Sequence, residues 1–181
     1  MTVLVPAGVP QLRAMMRFMV NTPGPMYLRV SRNDIPEITG ENPDPIAPAV
    51  MKEGGDAAVL ACGTMVHAAL CAAEKLAKQH VSARVINVPC LKPLDEAAIR
   101  ALLTGVRAVV TAEEHSVIGG LSSAVSWALR NDHLPMEAVA IGDVFGQSAH
   151  DSESLLRHYH LTDDDIVDKV LRALEHTGQP H

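Results

Sequence analysis

Apolar and polar positions along the chain fall into two kinds of segment: short, nearly unbroken apolar runs and longer stretches with helical spacing. The first pattern is typical of buried strands and the second of amphipathic helices. The runs that predict strands are Thr2 to Val5, Met26 to Val30, Ala57 to Cys62, Ser82 to Val88, Val106 to Ala112 and Met136 to Ile141. The stretches that predict helices are Val9 to Asn21, Met65 to Gln79, Asp95 to Leu103, Leu121 to Leu129, Ser152 to His158 and Ile166 to Leu174.

From Asp56 onward, strands and helices follow one another in the order βαβαβαβαα. Strands that alternate with helices pair in parallel, and the connecting helices cover both faces of their sheet. The order therefore predicts an α/β fold of three layers, with a mostly parallel sheet between two layers of helices. Thr64, Asp95 and Thr162 are expected N-caps, and Asp165 stands at the capping-box position after Thr162.

Prolines cluster between the second predicted strand and the long alternation, at Pro36, Pro43, Pro45 and Pro48. Repeated proline blocks helices and interior strands, so residues 35–49 are predicted to be a linker. The linker divides the chain into a short strand-helix-strand part, residues 1–34, and a domain of residues 50–181.

The amino-acid composition argues against several classes of protein. The chain is 48% hydrophobic and 20% charged, which favours a packed globular fold over disorder. Its net charge of -6 and its 3% of aromatic residues argue against a nucleic-acid partner. No apolar stretch is long enough for a membrane span, and three cysteines without a metal or disulfide spacing favour the cytoplasm.

The turns after the predicted strands are the places where an open parallel sheet binds ligands. The richest turn runs from Glu113 to Gly120, where an acid, a histidine and a Gly-Gly helix start come together. It fits a small-anion site, or charges at a strand end with glycines that allow tight packing. Cys62 and Cys90 also end predicted strands, and we interpret both as buried cysteines without a catalytic role.

Gly55 and Asp56, followed by Asn87, superficially match a diphosphate and Mg²⁺ motif of thiamine enzymes. We expect no metal there, because Ala57 replaces the second glycine and Asp56 starts a buried strand. Arg29 and Arg32 are stronger candidates. A strand that ends in Ser31-Arg32 presents a hydroxyl and a guanidinium to a phosphate or a carboxylate, although a surface salt bridge would explain either arginine.

Four segments of the chain resemble, in the same order, the C-terminal part of transketolase-like thiamine diphosphate-dependent enzymes. They are GPMYLRVSR, DAAVLACGTMVHAALCAAEKLAKQHVSARVINVPCLKPLD, VVTAEEHSVIGGLSSAV and IGDVFGQSAHDSESLLRHYHLTDDDIVDKV. The resemblance spans essentially the whole chain. It implies that residues 1–34 are the remnant of a pyrimidine-binding domain, and that residues 50–181 are the transketolase C-terminal domain.

The resemblance also implies which parts of the enzyme lie elsewhere. In the family, thiamine diphosphate and Mg²⁺ are bound by a domain with the GDG motif and by the upstream part of the pyrimidine-binding domain. This chain is therefore expected to bind neither by itself and to hold no catalytic residue. Its substrate-binding residues are expected to be Arg32, for the phosphate end of a sugar, and Ser31 in the same turn. Asn33 departs from the usual glutamine after that pair.

The expected function is the transfer of two-carbon ketol units between sugar phosphates, only when an N-terminal transketolase section or subunit completes the enzyme. The isolated chain is expected to be inactive. Family precedent and uncovered sheet edges favour a homodimer. The alternatives are a fragment that resembles 1-deoxyxylulose-5-phosphate synthase or the β subunit of 2-oxoacid dehydrogenases, and a non-catalytic dimerisation or small-anion-binding domain.

Overall fold

The computed structural model describes residues 1–32 and 35–178, which form eight strands, six α-helices and a final 3₁₀ turn. The strands are β1 (Thr2–Leu4), β2 (Met26–Leu28), β3 (Ala49–Lys52), β4 (Ala57–Ala61), β5 (Ala83–Asn87), β6 (Cys90–Lys92), β7 (Ala108–Ser116) and β8 (Met136–Ile141). The helices are α1 (Val9–Asn21), α2 (Met65–Ala77), α3 (Glu96–Leu102), α4 (Leu121–Ala128), α5 (Ser152–His158) and α6 (Asp163–Glu175). Asn33, noted above, lies outside the described residues.

A five-stranded sheet in the order β3-β5-β4-β7-β8 forms the centre of the fold. The four strands β5, β4, β7 and β8 pair in parallel, and β3 joins the edge in the antiparallel sense. Helices α2 and α6 pack on one face, around Val59 and Val110, and helices α3 and α4 pack on the other, around Leu60 and Val109. The predicted α/β class is confirmed, because β4 and β7 are buried on both faces as a covered parallel sheet requires.

A second sheet, in the order β2-β1-β6, contains strands from both predicted parts of the chain, residues 1–34 and residues 50–181. Strand β1 pairs in parallel with β2 and antiparallel with β6, so that Leu4 lies opposite both Leu28 and Cys90. Strands β3 and β6 were not predicted from the sequence. Each is only three or four residues long, follows a proline and mixes apolar with charged residues, so neither carries a clear strand pattern.

Several boundaries differ from the sequence prediction. Strand β7 continues past Ala112 to Ser116, so Glu113 and Glu114 belong to the strand and not to the turn after it. Thr64 stands at the predicted N-cap position of α2, but its side chain accepts no hydrogen bond from the helix. The expected caps of α3 and α6 are confirmed, by an Asp95 carboxylate and by the reciprocal capping box that begins at Thr162.

The amino-terminal part of the chain leaves apolar surface in solvent. Helix α1 buries Met15 against Leu4, but it exposes Met16 and Val20, of which Val20 is 86% accessible. Strand β2 forms an open edge of its sheet. In the described part of the chain, no helix is both long and apolar enough to cross a membrane.

Candidate functional site

Two adjoining clefts open where the segment after β2 meets the carboxyl ends of the central strands. The smaller, which we call the junction cleft, has a volume of about 130 Å³ and is lined by Arg29, Cys62, Thr64 and Glu114, among others. The larger, the outer cleft, has a volume of about 660 Å³. Both clefts are lined by Val30, Ser31 and Glu114, so they adjoin at the chain after β2 and at the end of β7.

Ser31 and Arg32, the two predicted substrate-binding residues, are exposed at the rim of the outer cleft. The opposite wall comes from the loop between β8 and α5, which includes Gln147 and His150. His150 lies within the fourth segment that resembles the family, but the sequence did not single it out as a candidate site residue. The loop has no periodic pattern, and its proximity to Arg32 depends on the pairing of distant strands.

Arg29 contacts the interior of the fold. Its guanidinium Nη2 donates a hydrogen bond to the Sγ of Cys62, at 3.6 Å, across the junction cleft. Burial raises the pKa of the Cys62 thiol to about 12, because the loss of hydration outweighs the opposing charge of Arg29. Cys62 is therefore a protonated packing residue near neutral pH, and Arg29 fixes the chain after β2 to the end of β4.

We expect the native Cys62 thiol to react with iodoacetamide at pH 8 about a thousandfold more slowly than in the urea-unfolded chain. The reason is twofold, since the side chain is 1% exposed and its thiolate form is scarce. Peptide mass spectrometry after timed labelling measures the rate, with the same peptide in urea as the reference. Equal rates in the two states would show that Cys62 is an accessible thiolate.

Glu113 is buried and binds the first turn of α4. Its Oε2 accepts a hydrogen bond from the Leu121 backbone N–H at 2.7 Å, and its Oε1 accepts one from Ser122 at 2.8 Å. These are N–H groups that an external anion at this helix end would need. The carboxylate of the chain itself therefore occupies the position that the sequence suggested for a small anion.

Gly120 lies against that carboxylate. A Cβ atom built on Gly120 would lie 2.1 Å from the Glu113 Oε2, so only glycine fits this position. Glu114, the next residue along β7, is exposed and accepts a hydrogen bond from the Thr64 hydroxyl at 2.8 Å. The two adjacent glutamates thus point to different surroundings, one inside the domain and one into the clefts.

The residues that superficially matched a diphosphate motif do not form a site. Asp56 accepts hydrogen bonds from the Ser82 N–H and from Arg107, at 2.8 and 2.7 Å, and these contacts lower its pKa. Asn87 is buried at the other end of the sheet and donates to Gln11. In the described ranges, no three His, Cys, Asp or Glu side chains come together as a metal site.

A thiamine diphosphate with its Mg²⁺ would need carboxylate or carbonyl oxygens that converge on the cation. Asp56 and Asn87 lie at opposite ends of the paired strands β4 and β5, and both are engaged in contacts within the chain. These residues do not fit the cofactor.

Comparison with known families decides what kind of chain this is. The model of the transketolase C-terminal domain matches residues 48–166. The chain belongs to the transketolase family. It is a transketolase-like C-terminal section, and the enzymes of this family depend on thiamine diphosphate.

Among solved structures, the chain is similar to one described as a split-gene transketolase in an inactive β4 tetramer. The TM-score is 0.90 at 39% identity, over 96% of this chain and 58% of the other. The chain is thus similar to somewhat more than half of a chain from a split-gene transketolase.

Curated relatives of the chain also belong to the transketolase family. The chain is 40% identical to a 6-deoxy-6-sulfo-D-fructose transketolase subunit of a Clostridium species, over 92% of this chain and 52% of that subunit. It is 32% identical to a putative transketolase C-terminal section of Methanocaldococcus jannaschii, over 97% of this chain and 56% of that protein. A 1-deoxy-D-xylulose-5-phosphate synthase of a Synechococcus species is 40% identical over 74% of this chain and 22% of the synthase. The chain spans about half the length of the transketolase subunits it matches.

Proposed function

We propose that this chain is the C-terminal part of a transketolase divided between subunits. Joined to a subunit that carries the domains for thiamine diphosphate and Mg²⁺, it transfers two-carbon ketol units between phosphorylated sugars. In this proposal residues 1–34 complete the pyrimidine-binding domain, residues 35–49 are the linker and residues 50–181 are the C-terminal domain. The observation that carries the proposal is the position of Ser31 and Arg32 at the rim of a cleft large enough for a sugar phosphate.

Arg32 is the residue to which we assign recognition of the anionic end of the sugar. A guanidinium presents a planar fork of N–H donors that matches a tetrahedral oxyanion, and Ser31 adds a hydroxyl in the same turn. The name of the Clostridium relative includes a sulfonated sugar. Phosphate and sulfonate are both tetrahedral oxyanions, so assays with a phosphorylated and a sulfonated ketose distinguish the two substrates.

The proposal is tested by mixing the purified chain with its N-terminal subunit, thiamine diphosphate and Mg²⁺. We expect ketol transfer in the mixture and none by the chain alone. Arg32→Ala is expected to raise the KM for a phosphorylated acceptor about tenfold, because a charge-assisted hydrogen bond is lost. The KM for glycolaldehyde, which has no anionic group, is expected to stay the same.

Arg172→Ala, on the exposed side of α6, is the matched control and is expected to leave both KM values unchanged. Ketol transfer by the isolated chain would refute the proposed division of labour. An unchanged KM for the phosphorylated acceptor in Arg32→Ala would refute the assigned role of Arg32.

The exposed face of α1 is the surface that we assign to the subunit partner. Met16 and Val20 are 55% and 86% exposed, and β2 of the same amino-terminal part forms an edge of its sheet. Apolar surface next to an open strand edge favours association. In the absence of the N-terminal subunit, the same face is available to a second copy of the chain, which supports the homodimer that we propose.

We expect Val20→Asp to weaken binding of the N-terminal subunit by about tenfold or more, because a carboxylate would be buried in an apolar contact. Sedimentation velocity of the mixed subunits measures the change. Ala101→Asp, on the exposed side of α3, is the control and is expected to bind normally. Normal binding by Val20→Asp would place the interface elsewhere.

A fragment that acts as a 1-deoxyxylulose-5-phosphate synthase stays an alternative, because members of that enzyme family match most of this chain. Pyruvate as the donor separates the two reactions, since the synthase releases CO₂ and transketolase transfers a ketol unit from a sugar. CO₂ release from pyruvate by the reconstituted complex, without ketol transfer, would favour the alternative.

A further inference from the structure

The geometry points to a second anion-binding residue in the outer cleft. We propose that His150, in the loop between β8 and α5, donates a hydrogen bond to the phosphate or sulfonate of the sugar whose other contact is Arg32. The inference rests on the proposed function and deepens it, since it gives the C-terminal domain a part in acceptor recognition.

Arg32 and His150 approach the same space from two parts of the fold. Arg32 follows β2 of the small sheet, whereas His150 follows β8 of the central sheet, and both line the outer cleft. Its volume of about 660 Å³ falls within the range that small-molecule sites occupy. The floor of the cleft includes Ile141, Leu155 and Leu156, so a ligand there would have polar contacts at the rim and apolar contacts below.

The acidic residues of the cleft are engaged within the chain. Glu114 accepts a hydrogen bond from the Thr64 hydroxyl. Asp151 accepts one from the Ser154 N–H at 2.7 Å and another from the Ser154 hydroxyl at 3.0 Å. Each carboxylate that lines the cleft thus has a hydrogen-bond donor within the chain. Arg32 and His150 both line the cleft and both carry N–H donors suited to an anion, beside the hydroxyl of Ser31.

The loop that carries His150 is anchored on both sides of that residue. The Tyr159 hydroxyl donates a hydrogen bond to the Phe145 carbonyl at 3.2 Å, and Asp151 caps α5 directly after His150. A loop that is held on both sides loses less freedom when one of its residues binds a ligand. Tyr159 itself lines the cleft, so the anchor is part of the same wall.

The kinetic test uses the reconstituted complex. His150→Ala is expected to raise the KM for a phosphorylated acceptor about fivefold, with kcat and the KM for glycolaldehyde unchanged. His150→Gln keeps an N–H donor and is expected to restore part of the loss. His176→Ala, at an exposed position after α6, is the control and is expected to match the unaltered chain.

A binding test needs no activity. Imidazole signals of the isolated chain are followed by NMR while inorganic phosphate, and then ribose 5-phosphate, is added. The His150 signals are expected to shift, those of His176 to stay, and the shift to disappear in Arg32→Ala. No shift at tens of millimolar ligand, or equal shifts at both histidines, would overturn the inference.

The two tests fail in different ways. A complex that transfers ketol units while His150→Ala leaves every KM unchanged would contradict the inference and leave the proposed function in place. A complex without ketol transfer would contradict the proposed function, and the NMR titration would still decide whether His150 binds the anion.

Discussion

Gly120→Ala is expected to lower the free energy of unfolding by about 3 kcal/mol, the upper end for inserting a methyl group into a packed site. The new Cβ would lie 2.1 Å from the Glu113 Oε2, and that carboxylate cannot move away without leaving the N–H groups of Leu121 and Ser122. The backbone φ of Gly120 is -93°, which any residue adopts, so the loss comes from the collision alone.

Urea unfolding followed by circular dichroism measures the change, with Gly55→Ala as the control. A Cβ on Gly55 meets nothing within 4 Å, so this variant is expected to stay within about 0.5 kcal/mol of the unaltered chain. If the collision with Glu113 causes the loss, the cost of Gly120→Ala should depend on whether the Glu113 side chain is present. In a Glu113→Ala background, Gly120→Ala should cost about 1 kcal/mol or less, and an equal cost in both backgrounds would contradict it.

Glu113→Gln is expected to cost about 2 kcal/mol, although the two side chains have nearly the same shape. The buried carboxylate accepts two backbone N–H groups, one on each oxygen. An amide keeps one acceptor and turns its NH₂ group toward the other N–H, which then has no partner. The loss of negative charge at the start of α4 adds to the cost.

The neighbouring Glu114→Gln is the matched control in the same urea experiment. Glu114 is exposed, and its hydrogen bond comes from the Thr64 hydroxyl, to which an amide oxygen also serves as acceptor. This variant is expected to change the free energy of unfolding by about 0.5 kcal/mol at most. Equal losses in the two variants would show that Glu113 does not hold the start of α4.

The central sheet could be predicted from the sequence because its inner strands consist mainly of apolar residues. Ala57–Ala61 is an unbroken apolar run and the first half of β7 is interrupted only by Thr111, as expected for strands covered on both faces. The small sheet was only partly predictable. Strand β6 is defined by pairing with β1, which is nearly half the chain away, and three residues have no pattern of their own.

Some residues of the candidate site could likewise be proposed from the sequence, and others could not. Ser31 and Arg32 could be proposed from a strand end and a family motif, whereas His150 could not, because tertiary structure alone brings its loop to the same cleft. Glu113 stood out as a charge at a strand end, but the sequence could not show that it turns inward. Its burial depends on the α4 N–H groups and on the space left by Gly120.

The ladder between β1 and β6 has a consequence for the order of folding. The parallel pairs β4–β5 and β7–β8 of the central sheet are each closed by a single helix, whereas the β1–β6 ladder joins segments that are nearly half the chain apart. Long closures are entropically costly and short ladders open readily. We therefore expect the β1–β6 ladder to be among the last pairings to form and the first to open, and it lies beside the strand that leads to the proposed sugar-binding turn.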